Sequence, residues 1–289
     1  MLLANPAVFA AIAAVFGLAI GSFLNVVIYR LPLMLERGWR AQCAEITGHP
    51  ARAEGEPLSL VKPRSRCPSC GAQIRAIHNI PVVSWLALGG RCASCRAPIS
   101  LRYPLVELAT AIVSATVAWH FGFGWHAGLA LIFSWYLIAM AGIDLDRQLL
   151  PDILTLPLLW IGLLATLCPD AGMPSPRDAL IGAAGGYLVL WTVFQLFRLL
   201  TGKEGMGYGD FKLFAAIGAF LGWQMLPLVL MLSAVVGAAV GIFLIVARKH
   251  GRNVPISFGP YLAGAGWIAM LWGPFILSRY LAVAGLHAG

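Results

Sequence analysis

Charge is what this 289-residue chain has least of. Only 11% of its residues are Asp, Glu, Lys or Arg while 60% are hydrophobic, against roughly 25% charged in an ordinary soluble domain. A globule of this composition has too few charges to solvate its surface, and its apolar blocks overfill any single core. That excludes an ordinary soluble enzyme, and the same numbers exclude collagen-like, disordered and disulfide-scaffold chains. No Lys or Arg precedes Arg30, whereas a secretory signal carries its positive charge in front of the apolar run. No His-Glu-x-x-His element is present, and no glycine fingerprint follows a strand pattern, so neither a zincin site nor a dinucleotide-type site can be named. There is no 20-to-50-residue repeat and no Gly/Ser-rich linker.

What is present is a series of apolar blocks at residues 7–28, 103–121, 126–143, 153–168, 179–199, 211–223, 226–246 and 258–284. At about 20 residues per crossing they predict an all-α polytopic membrane protein of about eight transmembrane helices. Residues 30–102 break the pattern, with eleven Lys/Arg and five of the six cysteines. The expected organisation is therefore a first transmembrane helix (1–29), an inserted polar domain (30–102) and a seven-helix membrane domain (103–289). Loops carrying Arg147, Lys203 and the Arg248-Lys249 pair alternate with nearly uncharged ones, and all basic residues but Arg177 and Arg279 fall on one side. The positive-inside rule makes that side cytoplasmic and puts both termini outside. The formal net charge of +8 is largely consumed by this topology signal, and the remaining cations face anionic lipid, so nucleic acid is not an expected partner. Glycines four apart (Gly17/Gly21, Gly182/Gly186, Gly218/Gly222, Gly237/Gly241) read as close helix packing, although apolar helices rich in glycine produce some such pairs by chance.

Cys67-Pro68-Ser69-Cys70 and Cys92-Ala93-Ser94-Cys95 are two C-x-x-C knuckles separated by 21 residues, the pattern of a four-thiolate zinc ribbon. Disulfides compete as an explanation but are rare on the reducing side to which the topology assigns this segment. A redox motif needs only one pair. Four thiolates close the coordination shell, so the expected metal is structural zinc held by Cys67, Cys70, Cys92 and Cys95, with Arg64, Arg66, Arg75, Arg91 and Arg96 offsetting its negative charge. Cys43 and Cys168 have no partner at ligand spacing.

Twelve acidic residues exist, and Glu107, Asp144, Asp146, Asp152 and Asp210 lie in or at the ends of apolar blocks, where ionisable groups are costly and hence functional candidates. Asp144 closes the third block and Asp210 opens the sixth within Gly207-Tyr208-Gly209-Asp210. Both fall on the cytoplasmic side, where two helix ends can converge. Two carboxyls held together share a proton, one anionic and one neutral, and such a pair activates water against a peptide carbonyl. Glycines 207 and 209 let a backbone approach closely. His120 and His126 fall at the opposite face, and His49, His78 and His250 stand in polar loops, leaving no Ser-His-Asp alternative. Asp152, following Pro151, reads more simply as a helix N-terminal residue. Asp146 is not separable from Asp144 on the residues alone. Glu107 is open to binding a cation, bonding a neighbouring helix or touching substrate. Lys212, roughly 200° around a helix from Asp210, is expected to snorkel to the surface rather than pair with it.

These pieces together resemble the type IV prepilin peptidases (prepilin leader peptidase/N-methyltransferases). The resemblance is carried by Gly21-Ser22-Phe23-Leu24-Asn25 running on to Tyr29-Arg30-Leu31-Pro32, the two knuckles, Tyr103-Pro104-Leu105-Val106-Glu107, the Ile143-to-Asp152 run and Gly205-Met206-Gly207-Tyr208-Gly209-Asp210-Phe211-Lys212. The G-x-G-D element is shared with other intramembrane aspartic proteases, whereas all the pieces in this order are specific. The resemblance implies an inner-membrane enzyme that cuts the basic leader from type IV prepilins and secretion-system pseudopilins and then methylates the new N-terminus with S-adenosylmethionine. By motif position it makes Asp144 and Asp210 the catalytic pair. It assigns no methyl-donor residues, and Arg91 with Gly89 and Gly90 is open to a contact role or to a plain turn. Two rivals remain at this stage: a peptidase without methyl transfer, and a cation-coupled transporter, which favours acids near the bilayer midplane rather than clustered at one face.

Overall fold

Asn5 starts the first helix by accepting a hydrogen bond from the Ala7 amide at 3.0 Å, and Pro6 occupies the first turn, where its missing N–H costs nothing. The computed structural model describes residues 5–48, 58–168, 171–248 and 257–283. Lys249, His49 and His250, assigned to loops from the sequence, lie outside these. The chain divides into two compact units, Met1–Phe123 and Gly124–Gly289.

In the first unit, α1 (Pro6–Thr47) pairs with α3 (Arg102–Phe121). The expected first span stops near Ile28, yet α1 runs on through Pro32 to Gly48, a left-handed terminator at φ 66. The first part of the polar insert is thus helical, because Pro32 removes one backbone bond without ending the run. Gly17 and Gly21 face α3 so closely that a Cβ on Gly21 would stand 2.7 Å from the Glu107 Cα. Packing without a side chain is what holds these two helices at that distance. The buried Asn25 donates to the Tyr103 carbonyl at 3.0 Å, and Arg30 donates to the Ser59 carbonyl at 2.9 Å. Between α1 and α3 lie a 3-10 turn (Ala76–Asn79), the short α2 (Val83–Ala87) and two knuckles, each closed by one isolated β-bridge, Arg66 to Gln73 and Arg91 to Pro98.

The second unit contains α4 (Trp125–Arg147), α5 (Asp152–Ala165), α6 (Pro176–Thr201), α7 (Tyr208–Leu221), α8 (Leu226–Arg248) and α9 (Gly259–Val283). Its centre is α7, apolar on every side and buried from Asp210 to Phe220 except at Lys212, as expected of a helix enclosed by others. On α6, Gly182 meets the Gly218 backbone and Gly186 the Phe214 backbone. On α5, Gly162 meets the Phe220 ring, and on α9 Gly266 meets Ile217. Gly222 differs from the packing glycines in standing at φ 78, where it ends α7.

Among the described residues, six helices are long and apolar enough to cross a membrane: α1, α3, α4, α6, α8 and α9. The exact count thus differs slightly from the expected figure of about eight. The fourth and sixth expected spans are α5 and α7, of 14 residues each, which at 1.5 Å per residue reach only about 21 Å against a hydrocarbon core of roughly 30 Å. They are short because Pro151 and Gly207 set late starts and Gly222 an early stop. The protein is a multi-pass, all-helical membrane protein in which the enclosed α7 and the outward-facing α5 are the two short helices.

Candidate active site and metal centre

The α4 helix places Asp144 in its last turn, and the turn closes with Gln148 in the left-handed region at φ 51, its amide bonded to the Asp144 carbonyl at 2.9 Å. The Asp144 side chain is 6% exposed. Its Oδ2 accepts from the Gly259 amide at 3.0 Å, and its carbonyl accepts from the Ser257 hydroxyl at 2.9 Å. The residues opening α9 therefore clamp the end of α4. Asp146, two residues on, is exposed. Burial thus separates two acids that the sequence left equivalent.

Asp210 sits in the first turn of α7 and is 7% exposed. Its amide bonds to the Gly207 carbonyl at 3.2 Å, and its Oδ1 is buried with no hydrogen-bond partner. Leu150 links the two acids. A Cβ on Gly259 would touch its Cδ1 at 3.2 Å, and a Cβ on Gly209 would stand 2.6 Å from its Cβ. The backbone before Asp210 and the clamp on Asp144 thus pack on one leucine, and the Asp144 charge acts electrostatically on Asp210. Glycine is required at both positions by that crowding. Two buried carboxyls thus stand on either side of Leu150, one with an oxygen hydrogen-bonded to a backbone amide and the other with an oxygen that has no protein partner.

Asp152 opens α5 after Pro151, as the sequence suggested, and its two oxygens accept from Lys212 Nζ at 2.6 and 2.7 Å. Lys212 therefore points away from Asp210, as its helix angle required, and pairs across to α5. His126 stands at the opposite end of α4 from Asp144, about 27 Å away at 1.5 Å per residue, so it takes no part in this chemistry. The sequence reading missed Gly259, Ser257 and Leu150. A glycine next to a proline at the start of the last apolar block was the available signal for the first.

In the first unit, the four sulfurs of Cys67, Cys70, Cys92 and Cys95 all lie within 4.8 Å of one another, and all four thiols are free. Cys67 Sγ and Cys95 Sγ are 3.8 Å apart. A tetrahedron with metal–sulfur bonds of about 2.3 Å has edges of about 3.8 Å, so the spacing fits zinc rather than a disulfide, whose sulfurs bond at about 2.05 Å. The Cys67 thiol is drawn down to about 6 by the backbone N–H groups of Cys70 and Ser69, and Cys92 is lowered by those of Cys95 and Ser94. Cys95 goes the other way. The Ala97 amide favours its thiolate, but hydrogen bonding with Cys70 and its other thiol neighbours pushes it up to about 11. The cluster thus holds thiolate and shared protons side by side, and a divalent metal would replace those protons. Gly89 and Gly90 are both left-handed, at φ 59 and 68, with the Trp85 ring against Gly90, so a tight turn accounts for them. Glu107 bonds a neighbour, as one of its three readings had it: Oε2 accepts from the Val82 amide at 2.7 Å, and the Ser22 hydroxyl also reaches the carboxylate.

Comparison with known proteins agrees with this division. The model of the bacterial peptidase A24 N-terminal domain matches residues 15–121, and that of the type IV leader peptidase family matches residues 131–242. Proteins named prepilin leader peptidase/N-methyltransferase are similar to the chain over nearly its whole length. That of Stutzerimonas stutzeri is 55% identical over 99% of this chain and 98% of its own. The Pseudomonas aeruginosa protein is 55% identical over 98% and 97%, and the Aeromonas hydrophila protein 56% over 96% and 95%. No solved structure matches. The membrane helices, the cysteine cluster and near-complete likeness at more than half identity lead to one conclusion: the chain belongs to the type IV leader peptidase family, with the prepilin leader peptidase/N-methyltransferases.

Proposed function

We propose that Asp144 and Asp210 are the catalytic pair of a peptidase that removes the basic leader from type IV prepilins, and from the pseudopilins of type II secretion, at the cytoplasmic face of the bacterial inner membrane. The observation that carries this is a pair of buried carboxyls, Asp144 and Asp210, whose supporting glycines, Gly259 and Gly209, both pack on Leu150. Asp144, supported by the Gly259 amide, is the anion that takes a proton from the attacking water. Asp210, with its unpartnered Oδ1, carries the shared proton and donates it to the developing oxyanion. Asp144 then passes the proton taken from water to the leaving amine as the C–N bond breaks, the oxyanion returns its proton to Asp210 as the carbonyl re-forms, and leader and pilin separate. As a member of this family the enzyme is also an N-methyltransferase, whose donor, S-adenosylmethionine, supplies the methyl group for the amine that cleavage exposes.

Cys67, Cys70, Cys92 and Cys95 hold a structural zinc ion in this reading, which fixes the two knuckles relative to each other. The functional division follows the sequence: a first helix (1–29), a zinc-bearing domain (30–102) and the membrane peptidase domain (103–289). The transporter alternative is disfavoured because both acids sit at helix ends rather than mid-helix.

The test is mass spectrometry of a prepilin incubated with purified protein, with and without S-adenosylmethionine. Leader loss and a further methyl increment are separately visible. Asp144→Asn and Asp210→Asn should each abolish leader loss while the protein stays folded, and appreciable cleavage by either variant rejects the pair.

A further inference from the structure

The cysteine-bearing insert carries a row of exposed apolar side chains that neither the metal centre nor the active site uses. Ile77, Ile80, Val83 and Leu86 recur every third residue through the 3-10 turn and α2, and they are 67%, 46%, 59% and 64% exposed. Single exposed leucines are ordinary, but a periodic row on so small a module marks a contact surface. The row cannot turn inward, because the inner side of α2 is taken by Trp85, whose Nε1 donates to the Ile99 carbonyl at 3.2 Å and whose ring lies on Gly90 beside the second knuckle.

The backbone in the middle of the row is strained. Val82 stands at φ 57, ψ −50, and the Val83 amide bonds back to the Pro81 carbonyl at 2.5 Å, a γ-turn of the rare hand. A β-branched residue holds that conformation only where its surroundings impose it. The imposing group is Glu107, whose Oε2 accepts from the Val82 amide at 2.7 Å. Glu107 belongs to the second turn of α3, a membrane-crossing helix that begins at Arg102, so it lies about 8 Å inside the cationic end of that helix. Arg102 and Tyr103 are the residue types that mark a headgroup boundary. The Glu107 side chain tilts back toward the helix start, so Ile80 and Val83, on either side of the pinned residue, lie within about 8 Å of that boundary, the zone in which interfacial elements bury their apolar side. Charge agrees with that location: residues 57–106 contain seven Lys/Arg and no Asp or Glu, an excess of cations even over the negative charge of a zinc-bound four-thiolate centre, and such a balance is what an anionic leaflet attracts.

We propose that Ile77, Ile80, Val83 and Leu86 form an interfacial anchor that seats the insert in an anionic lipid leaflet, at a depth set by the bond from Glu107 to Val82. The anchor does not depend on the peptidase chemistry, so it stands or falls separately from the catalytic pair.

The test uses the full-length protein in phosphatidylethanolamine/phosphatidylglycerol vesicles with a prepilin added. A photo-crosslinking benzophenone side chain is installed at position 80, 83 or 86 and, as a control, at the exposed Ser94 of the second knuckle. Mass spectrometry after irradiation should find a phospholipid-sized adduct at the three row positions, several-fold above position 94 and several-fold reduced in phosphatidylcholine vesicles. Glu107→Leu should lower the adduct at position 83 with zinc content retained, and Glu107→Gln, which keeps an acceptor oxygen, should restore it. Row positions that react no more with lipid than position 94, adducts to prepilin or to a second copy in place of lipid, or yields indifferent to lipid charge or to Glu107→Leu overturn the proposal.

Discussion

Gly259→Ala isolates the support of one catalytic carboxyl from the carboxyl itself. The new Cβ would lie 2.7 Å from Asp144 Oδ2 and 3.2 Å from its Cγ, where non-bonded heavy atoms prefer about 3.5 Å or more. The carboxylate has to retreat by about 0.8 Å, the difference between those separations, and its 3.0 Å bond from the Gly259 amide lengthens with it. A displacement near 1 Å at reacting atoms costs about 10²-fold in rate, or about 2.7 kcal/mol of transition-state stabilisation. Fold stability should change less, because Gly259 is the first residue of α9 and the atoms nearest the added Cβ are those of the Asp144 carboxylate and the tip of Leu150. The control is Gly264→Ala in the same helix, where an added Cβ meets nothing within 4 Å. Cleavage of a prepilin by each purified variant, with zinc content and thermal midpoint measured alongside, should give about a 10²-fold loss for Gly259→Ala and no loss for Gly264→Ala. Wild-type cleavage by Gly259→Ala refutes the assigned geometry, since the acid would then not need this position to act.

Three further outcomes are expected. Zinc binding to the apo protein should release protons, and apparent affinity should already fall as pH drops below about 11, where Cys95 holds its proton, and fall more steeply below about 6, where Cys67 is protonated too; calorimetry in buffers of different ionisation enthalpy reads the proton count, and a pH-independent affinity contradicts the four-thiolate site. Lys212→Met removes a pair whose side chains are 27% and 56% exposed, so thermal unfolding should register at most about 1 kcal/mol; a larger loss means that the pair does more than tie α5 to α7. Gly182→Val overlaps the Gly218 backbone and should destabilise the α6–α7 contact by about 1–3 kcal/mol, lowering the thermal midpoint in detergent, whereas an unchanged midpoint shows that the helices have room to separate.

Much of this protein is legible in its sequence because lipid makes the code simple. Apolar runs must become helices, since no other element satisfies its own backbone in hydrocarbon, and the helices fall where the runs do. The cysteine spacing was readable for a similar reason: four thiols in two knuckles have few other uses. Failures occur where protein replaces lipid as the surroundings. Hydropathy cannot distinguish a 14-residue helix wrapped by neighbours, such as α7, from a full crossing, because both are equally apolar. Neither can composition reveal that Arg30 to Thr47 continues α1, since a polar helix and a polar loop share residues. Asp144 and Asp146 were equivalent as letters and differ in burial only because α9 closes over one of them. Gly259 was invisible because its role lies in a contact 115 positions away.

The short helices also explain how a charged pair persists in an apolar protein. A helix that faces lipid must run uninterrupted through the hydrocarbon, because a bare helix end there leaves backbone groups unpaired. A helix enclosed by protein is free of that demand, and α7 is enclosed by α5, α6 and α9. It can therefore begin at Gly207-Tyr208-Gly209 and carry Asp210 in its first turn. Lengthening α7 by one turn at its start would carry Asp210 into the helix interior and move the exposed N–H groups past Leu150, separating the two acids. The shortness of α7 and the meeting of its aspartate with Asp144 thus come from one cause: the glycines that end it at both sides are tolerated because neighbouring helices, and not lipid, surround them.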